Sequence, residues 1–439
     1  MSPNRDEAIA ALLARPGLRE VFAALEGEET RVVGGAVRNA LLGEAVADID
    51  LAVAAPPDIV VRKAQRAGLR AVPTGIDHGT VTLILGGAHF EVTSLREDVE
   101  TDGRWAKVRF GGDFAADAQR RDFTINSLSI DAHGQLYDYV GGLDDLAARR
   151  VRFIGDSLRR IAEDYLRILR FFRFSAWYGA GPLDADGLHA CIVQRAGVRS
   201  LSRERLGGEM LKILASPRPC VVETMSKAGL LEFLHVAPWP ARCRRLDAIL
   251  VARRALLRET AGVGSDAVLL LGALAMHSEA DAERLADALR LSRAQKKRLA
   301  GMARVAAAWR GATGAPSPDR LREQLFLQGP QAARDGLSLI HAESGAPAED
   351  RDFVAADAFL LRTPTPKAPF AASDFLARGL RQGARLGAAL KIAQAAWISA
   401  GFPQDPERVA SLIDEACAKS AEESNWTGSA ASGLNFEPK

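Results

Sequence analysis

The sequence VVGGAVRNALLG at residues 32–43 is followed by DID at residues 48–50. The β-branched residues before the glycine pair predict a strand, and the residues after it predict a helix. Glycine lets the backbone approach a phosphate because it has no Cβ, and the start of a helix offers free N–H groups. Gly35 is therefore a candidate phosphate ligand, and Arg38 can reach the same phosphates. The same pattern also occurs in ordinary tight turns, so alone it does not establish a function.

Asp48 and Asp50 form a pair of carboxylates. Residues i and i+2 of a strand point to the same face, so the two side chains converge. They repel each other unless a cation lies between them, and hard oxygen ligands suit Mg²⁺. A two-metal site would activate an attacking 3′-hydroxyl and stabilise a departing pyrophosphate. Glu91 in HFEVTSL is a candidate third ligand. Alternatively, Asp48 and Asp50 could cap the next helix, and Glu91 could be a surface glutamate of a strand.

The sequence EDYLRILRFFRF at residues 163–174 predicts an amphipathic helix with an apolar core face. Asp164 and Arg167 are three residues apart, and the simplest interpretation is an intrahelical salt bridge. A carboxylate beside a guanidinium also matches the amino group and ring nitrogen of cytosine and adenine, and it repels the carbonyl of uracil or guanine. This pair predicts selection of CTP and ATP by protein side chains. Arg170 and Arg173 lie farther round the helix and could hold the triphosphate or an RNA backbone.

The composition is that of a soluble globular protein, with 48% hydrophobic and 26% charged residues among 439. No apolar run reaches the ~20 residues that span a bilayer. The four cysteines form no C-x-x-C pair, which indicates a cytoplasmic protein without a zinc knuckle. The net charge is only +2, but residues 149–173 hold eight arginines against three acids. Such a region suits phosphate or RNA, or it is a solvated helix face.

The pattern of elements predicts an α+β domain that ends near Gly142, followed by a helical remainder from about residue 145. The helical lead-in covers residues 1–27. The predicted strands are 30–33, 49–53, 80–85, 90–94 and 125–130, and the predicted helices between them are 36–42 and 58–68.

Five motifs resemble those of the bacterial class II tRNA nucleotidyltransferases, the CCA-adding enzymes, and of the poly(A) polymerases. The match covers roughly residues 30–215. The motifs are the glycine-rich stretch with DID, DGRW (102–105), RRDFTIN (120–126), EDYLR (163–167) and LSRERLGGEMLKIL (201–214).

The resemblance implies an α+β fold with a nucleotidyltransferase head of mixed β-sheet and helices, then an all-helical neck, body and tail. The expected boundaries are 1–144 for the catalytic head, 145–218 for the neck with the base-template helix, 219–330 for the body, 331–420 for a tRNA-contacting tail and 421–439 for a disordered C-terminus. His277 and His341 stand alone, so no fused phosphohydrolase domain is expected.

The resemblance also implies roles for individual residues. Asn39 departs from the family pattern, which usually has Asp there. The implied roles are triphosphate binding by Gly35 and Arg38, metal binding by Asp48 and Asp50, nucleotide contact by Arg121, and base pairing by Asp164 and Arg167 with Arg170 and Arg173 nearby.

The implied activity is addition of CCA to tRNA 3′ ends from CTP and ATP, with Mg²⁺ as cofactor and release of pyrophosphate. The expected partner is the acceptor arm and 3′ end of tRNA, with no obligate protein partner. CC-only or A-only addition and poly(A) tailing are alternatives, as is an inactive RNA-binding relative. The intact Asp48/Asp50 pair argues against the inactive relative. The polar segment 95–104 argues against CC-only addition, and TGIDHGTVTL (74–83) argues against poly(A) tailing.

Overall fold

The computed structural model describes residues 4–75, 79–102, 105–110, 112–257 and 266–429. Its strands are β1 (Thr30–Val33), β2 (Ile49–Val53), β3 (Arg70–Gly75), β4 (Thr80–Leu85), β5 (Ala88–Ser94), β6 (Arg96–Asp102), β7 (Trp105–Phe110), β8 (Ser129–Asp131) and β9 (Leu136–Tyr137). Among the described residues, seven of these strands form one mixed sheet in the order β3-β4-β5-β2-β1-β8-β9. Strands β6 and β7 pair separately as an antiparallel hairpin.

The sheet is accompanied by helices that pack on its buried residues. These helices are α1 (Arg5–Leu13), α2 (Leu18–Ala24), α3 (Gly35–Leu42), α4 (Pro57–Arg66), α5 (Phe114–Arg120) and α6 (Gly142–Ala147). All four residues of β1 are buried. Val33 packs with Ala52, Leu95 and Phe114 in one apolar cluster, so the strand that leads into the glycine pair is held from both sides. Burial of this kind is the main favourable term that fixes a strand in place.

The remainder of the described chain is helical. Its helices are α7 (Ser157–Glu163), α8 (Leu166–Tyr178), α9 (Ala185–Val193), α10 (Arg203–Leu214), α11 (Val222–Lys227), α12 (Pro240–Leu257), α13 (Ala267–Ala275), α14 (Glu279–Ala288), α15 (Arg293–Trp309), α16 (Pro318–Gln328), α17 (Pro330–Ser344), α18 (Arg351–Arg362), α19 (Ala372–Leu376), α20 (Ala384–Ser399) and α21 (Pro406–Ser429). A mixed-sheet head followed by helices confirms the predicted α+β fold class.

Two predicted elements differ from the structure. The strand predicted at 125–130 is wrong in its first half, because Thr124–Asn126 forms a 3₁₀ turn and the strand begins at Ser129. The buried side chain of Asn126 holds this turn by donating to Asp122 Oδ1 at 3.0 Å. The continuous helix predicted at 163–174 is also wrong, because the backbone is extended at Asp164.

The chain divides into two compact units. The first runs to His235 and includes Asp287–Arg290, and the second contains most of the chain beyond His235. The predicted boundaries at 144, 218, 330 and 420 stay predictions. The last helix continues to Ser429, so it enters the segment predicted to be disordered from 421. Within the described residues, no helix is both long and apolar enough to cross a membrane.

Candidate active site

The turn between β1 and α3 has a conformation that requires glycine. Gly34 has φ 71° and ψ −125°, a region that residues with a Cβ rarely adopt. A Cβ at Gly34 would also lie 3.0 Å from Nη1 of Arg121. Gly35 then begins α3, whose first N–H groups have no partners inside the helix. The backbone and Arg121 therefore meet at a point suited to an anion.

Arg38 is fixed in a buried position beside this turn. Its guanidinium donates to the side chain of Asn126 and, through Nη2, to the Tyr178 hydroxyl at 2.7 Å. Asn39 Oδ1 accepts from Arg38 Nε at 3.1 Å and Nη2 at 2.8 Å. Burial lowers the pKa of Arg38, with Tyr178 opposing that effect. Asn39, which departs from the family pattern, therefore orients the arginine as a neutral acceptor.

The predicted carboxylates lie at the start of β2. Asp48, just before β2, and Asp50, within it, flank the buried Ile49, as a shared strand face requires. Asp50 is the register partner of Glu91 in the parallel pairing of β2 and β5. Burial and then the charges of Glu91 and Asp48 raise the pKa of Asp50, and Arg121 opposes them. Negative charge on Asp50 is therefore unfavourable beside these carboxylates unless a cation is bound.

These hard oxygen donors fit a divalent cation. Among the described side chains, no group of three or more His, Cys, Asp or Glu could by itself hold a metal ion. Asp48 and Asp50 would thus fill only part of a coordination shell, which is usual for Mg²⁺ bound together with substrate phosphates.

The RRDFTIN segment supplies two cleft side chains that the sequence did not single out, Asp122 and Asn126. Asp122 is buried and accepts two hydrogen bonds from Arg170, of which the Nε bond is 2.8 Å long. Burial would raise the pKa of Asp122, but Arg170, Asn126 and the Phe123 N–H hold it below its usual range. The signal in the sequence was the single acid in a motif whose other residues are basic, apolar or uncharged polar.

Arg121 and Arg173 are held by acids as well. Arg121 Nε donates to Asp117 Oδ2 at 3.0 Å, and its Nη1 donates to the Asn126 carbonyl at 3.3 Å. Arg173 Nε donates to Glu209 Oε2 at 2.6 Å, and the Glu209 side chain is only 7% exposed. Arg170 and Arg173 both line the cleft and each contacts an acid, and their predicted role in holding a triphosphate or an RNA backbone stays a prediction.

The two predicted base-reading residues do not pair with each other. Asp164 lies in the break between α7 and α8, where its Oδ1 accepts from the Leu166 N–H at 3.0 Å. Arg205 Nη2 contacts both Asp164 oxygens, at 3.0 and 2.7 Å. Arg167 instead donates to Glu163 Oε2 at 2.6 Å. The intrahelical Asp164–Arg167 salt bridge is thus wrong, because the extended backbone at Asp164 turns its side chain to Arg205.

One cleft of about 580 Å³ in the first unit brings most of these groups together. Of the predicted site residues, Asp48 and Glu91 do not line it, although both lie beside Asp50, which does. Its lining is Gly34, Gly35, Arg38, Asp50, Arg120, Arg121, Asp122, Asn126, Asp164, Leu166, Arg167, Arg170, Arg173, Phe174 and Arg205. Seven arginines against three acids make a cationic cleft suited to a polyphosphate.

Two stretches that entered the sequence argument fall partly outside the described residues. They are Gly103 and Arg104 of DGRW, and residues 76–78 of TGIDHGTVTL.

Comparisons with known proteins show what the chain is similar to. Residues 30–152 match the family model described as the Poly A polymerase head domain. The chain is 37% identical over 284 residues to CCA tRNA nucleotidyltransferase 1, mitochondrial, of Danio rerio, an alignment that covers 64% of each chain. It is 42% identical over 189 residues to the CCA-adding enzyme of Oceanobacillus iheyensis, covering 43% of this chain and 46% of that one. The chain thus spans about half to two thirds of the length of these relatives.

A solved structure is similar over almost the whole chain. It is the Bacillus stearothermophilus CCA-adding enzyme in complex with CTP, with a TM-score of 0.67, 23% identity, and coverage of 94% of this chain and 100% of that one. At this identity the match supports the fold alone. The family model and the relatives confirm the resemblance to class II tRNA nucleotidyltransferases and poly(A) polymerases that the motifs indicated.

Proposed function

We propose, from the match of residues 30–152 to the Poly A polymerase head domain and from the cleft beside it, that this protein is a nucleotidyltransferase. Its activity is the addition of CCA to tRNA 3′ ends, with CTP and ATP as substrates and pyrophosphate as product. The observation that carries the proposal is the single cleft that holds the Gly34–Gly35 turn, Asp50, Asp164 and Arg167 together. Phosphate, metal and base sites in one cleft are what transfer of a selected nucleotide needs.

The triphosphate is bound by Gly35, Arg38 and Arg121. The helix N-terminus supplies N–H donors, and Arg38 supplies a charge whose position is set by Asn39 and Asn126. Because these contacts are to phosphate, they hold any nucleoside triphosphate alike. They position the α-phosphate for attack by the RNA hydroxyl, and they do not select the base.

Asp48 and Asp50 hold a divalent cation, which we assign as Mg²⁺, with Glu91 beside them. When bound, such an ion neutralises phosphate charge and lowers the pKa of an oxygen nucleophile. The raised pKa of Asp50 fits this assignment, because a cation removes the repulsion from Glu91 and Asp48.

The base is selected by Asp164 and Arg167. A carboxylate accepts from the amino group of cytosine or adenine, and a guanidinium donates to the ring nitrogen beside it. Uracil and guanine present a carbonyl where the carboxylate lies. Arg170 and Arg173 do not read the base in this proposal, since they hold Asp122 and Glu209 and so shape the cleft wall.

The acceptor is the 3′ end of a tRNA, and the helical second unit contributes to its binding. CC-only addition, A-only addition and poly(A) tailing remain the alternatives within the same chemistry, and an inactive RNA-binding relative is the alternative outside it. The location we propose is the cytoplasm. "Mitochondrial" in the name of the Danio rerio relative refers to that protein.

Sequencing of reaction products tests the proposal. The whole protein is incubated with a tRNA transcript that lacks CCA, with CTP and ATP together and each alone, and the 3′ ends are sequenced. CCA addition gives C-C-A from the mixture and stops at C-C with CTP alone. C-C without A from the mixture would select CC-only addition, an unlimited A tail would select poly(A) tailing, and no addition would select the inactive relative. A parallel transcript that already ends in CC tests A-only addition, which would add A to this transcript and no C to the other. Asp48→Ala is the inactive control.

A further inference from the structure

We propose that Asn39 is a positioning residue that holds the Arg38 guanidinium through a neutral amide and so keeps its positive charge available for the triphosphate. The inference rests on the proposed binding of the triphosphate by Gly35, Arg38 and Arg121, and it adds to that site a residue that contacts no substrate. Its consequence is that the affinity of the cleft for polyphosphate depends on an uncharged side chain at position 39.

Arg38 differs from the other arginines that line the cleft, because within the described part of the chain it has no ion pair. The other six arginines each contact a carboxylate. These pairs are Arg120 and Arg121 with Asp117, Arg167 with Glu163, Arg170 with Asp122, Arg173 with Glu209, and Arg205 with Asp164. The charge of Asp122 also acts on Arg38, but the Asp122 carboxylate is bound to Arg170. Arg38 is therefore a buried cation that no contacting carboxylate compensates.

Two asparagine side chains hold Arg38, and each also uses its amide nitrogen. Asn39 Oδ1 accepts from Arg38 Nε at 3.1 Å and from Nη2 at 2.8 Å, while Asn39 Nδ2 donates to the Ala45 carbonyl at 2.9 Å. Asn126 Oδ1 accepts from Arg38 Nη1, and Asn126 Nδ2 donates to Asp122 Oδ1 at 3.0 Å. An aspartate at either position would place its second oxygen against an acceptor oxygen, so these contacts favour the neutral residue.

The remaining contacts of Arg38 are with two aromatic residues of α8. The Tyr178 hydroxyl accepts from Nη2 at 2.7 Å, and the guanidinium carbon lies 3.9 Å from the centre of the Tyr178 ring and 5.3 Å from that of Phe174. Aromatic faces attract a cation without neutralising its charge. A guanidinium has five N–H groups, and Arg38 makes four hydrogen bonds to described residues. One N–H of Nη1 therefore remains for a ligand.

Position 39 thus controls how much positive charge reaches the phosphates. A buried cation without a counter-ion carries a desolvation cost, and a bound anion relieves that cost. A carboxylate at position 39 would contact Arg38 and compensate its charge before a phosphate arrived, so the phosphate would have to compete with it. We therefore expect a negative charge at position 39 to weaken polyphosphate binding more than loss of the side chain does.

The test measures the Kd of inorganic triphosphate for the full chain by isothermal titration calorimetry, at a fixed Mg²⁺ concentration. Asn39→Asp should raise Kd by roughly tenfold or more, the size expected when one charged hydrogen bond to the ligand is lost. Asn39→Ala leaves the guanidinium uncompensated and removes only its orientation, so Kd should rise by roughly threefold. Ala45→Asp is the control, because it adds the same charge at an exposed position nearby, and it should change Kd by less than about twofold.

Two further measurements separate positioning from damage to the fold. Asn39→Asp gives Arg38 a counter-ion, so without ligand its Tm should be no lower than that of Asn39→Ala. In nucleotide addition, Asn39→Asp should raise the KM values for CTP and ATP by the same factor, because Arg38 contacts phosphate and not the base. Damage to the fold would instead lower Tm in step with affinity, with Asn39→Asp the lowest in both.

An unchanged Kd in Asn39→Asp, or a rise in Asn39→Ala or Ala45→Asp as large as that in Asn39→Asp, would overturn the inference. If Asn39→Asp does not fold, Asn39→Ala decides, and either an unchanged Kd or a rise of about tenfold or more in this uncharged variant would overturn it. A parent that binds triphosphate with these dependences but adds no nucleotide contradicts the proposed function and supports the inference. A parent that binds no triphosphate contradicts both.

Discussion

Asp50 in β2 lies directly beside Glu91 in β5, because these two parallel strands are paired in that register. Burial and then the charges of Glu91 and Asp48 raise the pKa of Asp50. A carboxyl group whose pKa is raised by folding destabilises the folded state at pH values above its unfolded pKa, and this penalty disappears as the pH falls below that value. The repulsion is therefore present at neutral pH, where a cation would remove it.

Asp50→Asn should remove this repulsion together with the proposed metal site. Without added metal at neutral pH, we expect the variant to have a Tm equal to or above that of the parent, and the difference should vanish below the ordinary pKa range of Asp. Added Mg²⁺ should raise the Tm of the parent by mass action and leave that of Asp50→Asn unchanged. Thermal melts with and without Mg²⁺ measure both effects.

Glu44→Gln is the control for this prediction, since Glu44 is an exposed carboxylate in the same segment of the head. It should respond to Mg²⁺ as the parent does. An equal rise in Tm for Asp50→Asn and the parent would show that the ion binds elsewhere.

Asp122→Ala should destabilise the protein, because it leaves Arg170 without the carboxylate that it contacts. We expect a loss of roughly 2–3 kcal/mol, less than for a fully buried pair because the Arg170 side chain is 31% exposed. The pKa of Asp122 is held below its usual range, so its stabilising effect is present at neutral pH and is lost as the pH falls through the folded pKa. Urea unfolding at neutral and acidic pH measures it.

The control is Asp58→Ala, which removes an exposed ion pair to Arg62 in the head. It should cost less than about 1 kcal/mol. If the two variants lose the same stability, or if the cost of Asp122→Ala does not shrink in acid, the carboxylate of Asp122 does not hold Arg170 as described.

Gly34→Ala should harm both folding and phosphate binding. The backbone at Gly34 has φ 71°, and a Cβ there would also crowd Arg121 Nη1. We expect a loss of about 1–3 kcal/mol of stability and a raised KM for CTP. Gly68→Ala is the matched control, because Gly68 has φ 77° with open space around it. It should cost about 1 kcal/mol and leave KM unchanged. Equal KM values for the two variants would contradict the placement of Arg121 against this turn.

Arg242→Met tests the helical second unit. The Arg242 side chain is fully buried and donates to the carbonyls of Gly272, Ala273 and Met276 and to the Glu343 carboxylate. Its removal should cost roughly 3–5 kcal/mol, because the largely buried Glu343 carboxylate and three carbonyls lose a donor. Denaturant unfolding would reveal this loss.

A partly exposed arginine in the same unit provides the comparison. Arg322→Met removes an ion pair with Asp319 at the start of α16 and a cation–π contact with Phe359, together worth about 1 kcal/mol or less. A loss for Arg242→Met no larger than this would mean that the arginine is not needed to satisfy those carbonyls.

The parts of the head that could be predicted from sequence are those that local patterns determine. Strands Thr30–Val33, Ile49–Val53 and Thr80–Leu85 begin and end where the pattern placed them, because their apolar residues are buried and turn residues follow them. The Gly34 turn could also be predicted, because the glycine pair is a local signal in the sequence and the positive φ at Gly34 favours glycine.

The residues proposed to read the base could not be placed from sequence, because contacts between distant residues set their geometry. Nothing in EDYLRILRFF breaks a helical pattern, yet the backbone is extended at Asp164, where Arg205 contacts the carboxylate. The Asp122–Arg170 pair is equally hidden, since its members are 48 residues apart. The sequence shows the arginines and the acids that line this cleft, but it does not show which arginine contacts which acid.

In the proposed function, protein side chains of this cleft select CTP and ATP. The direct measurement is competition among equal concentrations of all four triphosphates for addition to a tRNA transcript lacking CCA, with the parent and with Asp164→Ala. The parent should incorporate C, C and then A. Asp164→Ala should incorporate U in place of C roughly 10- to 150-fold more often, as loss of one charged hydrogen bond implies. A C-to-U ratio that is the same in Asp164→Ala as in the parent would contradict selection of the base by Asp164.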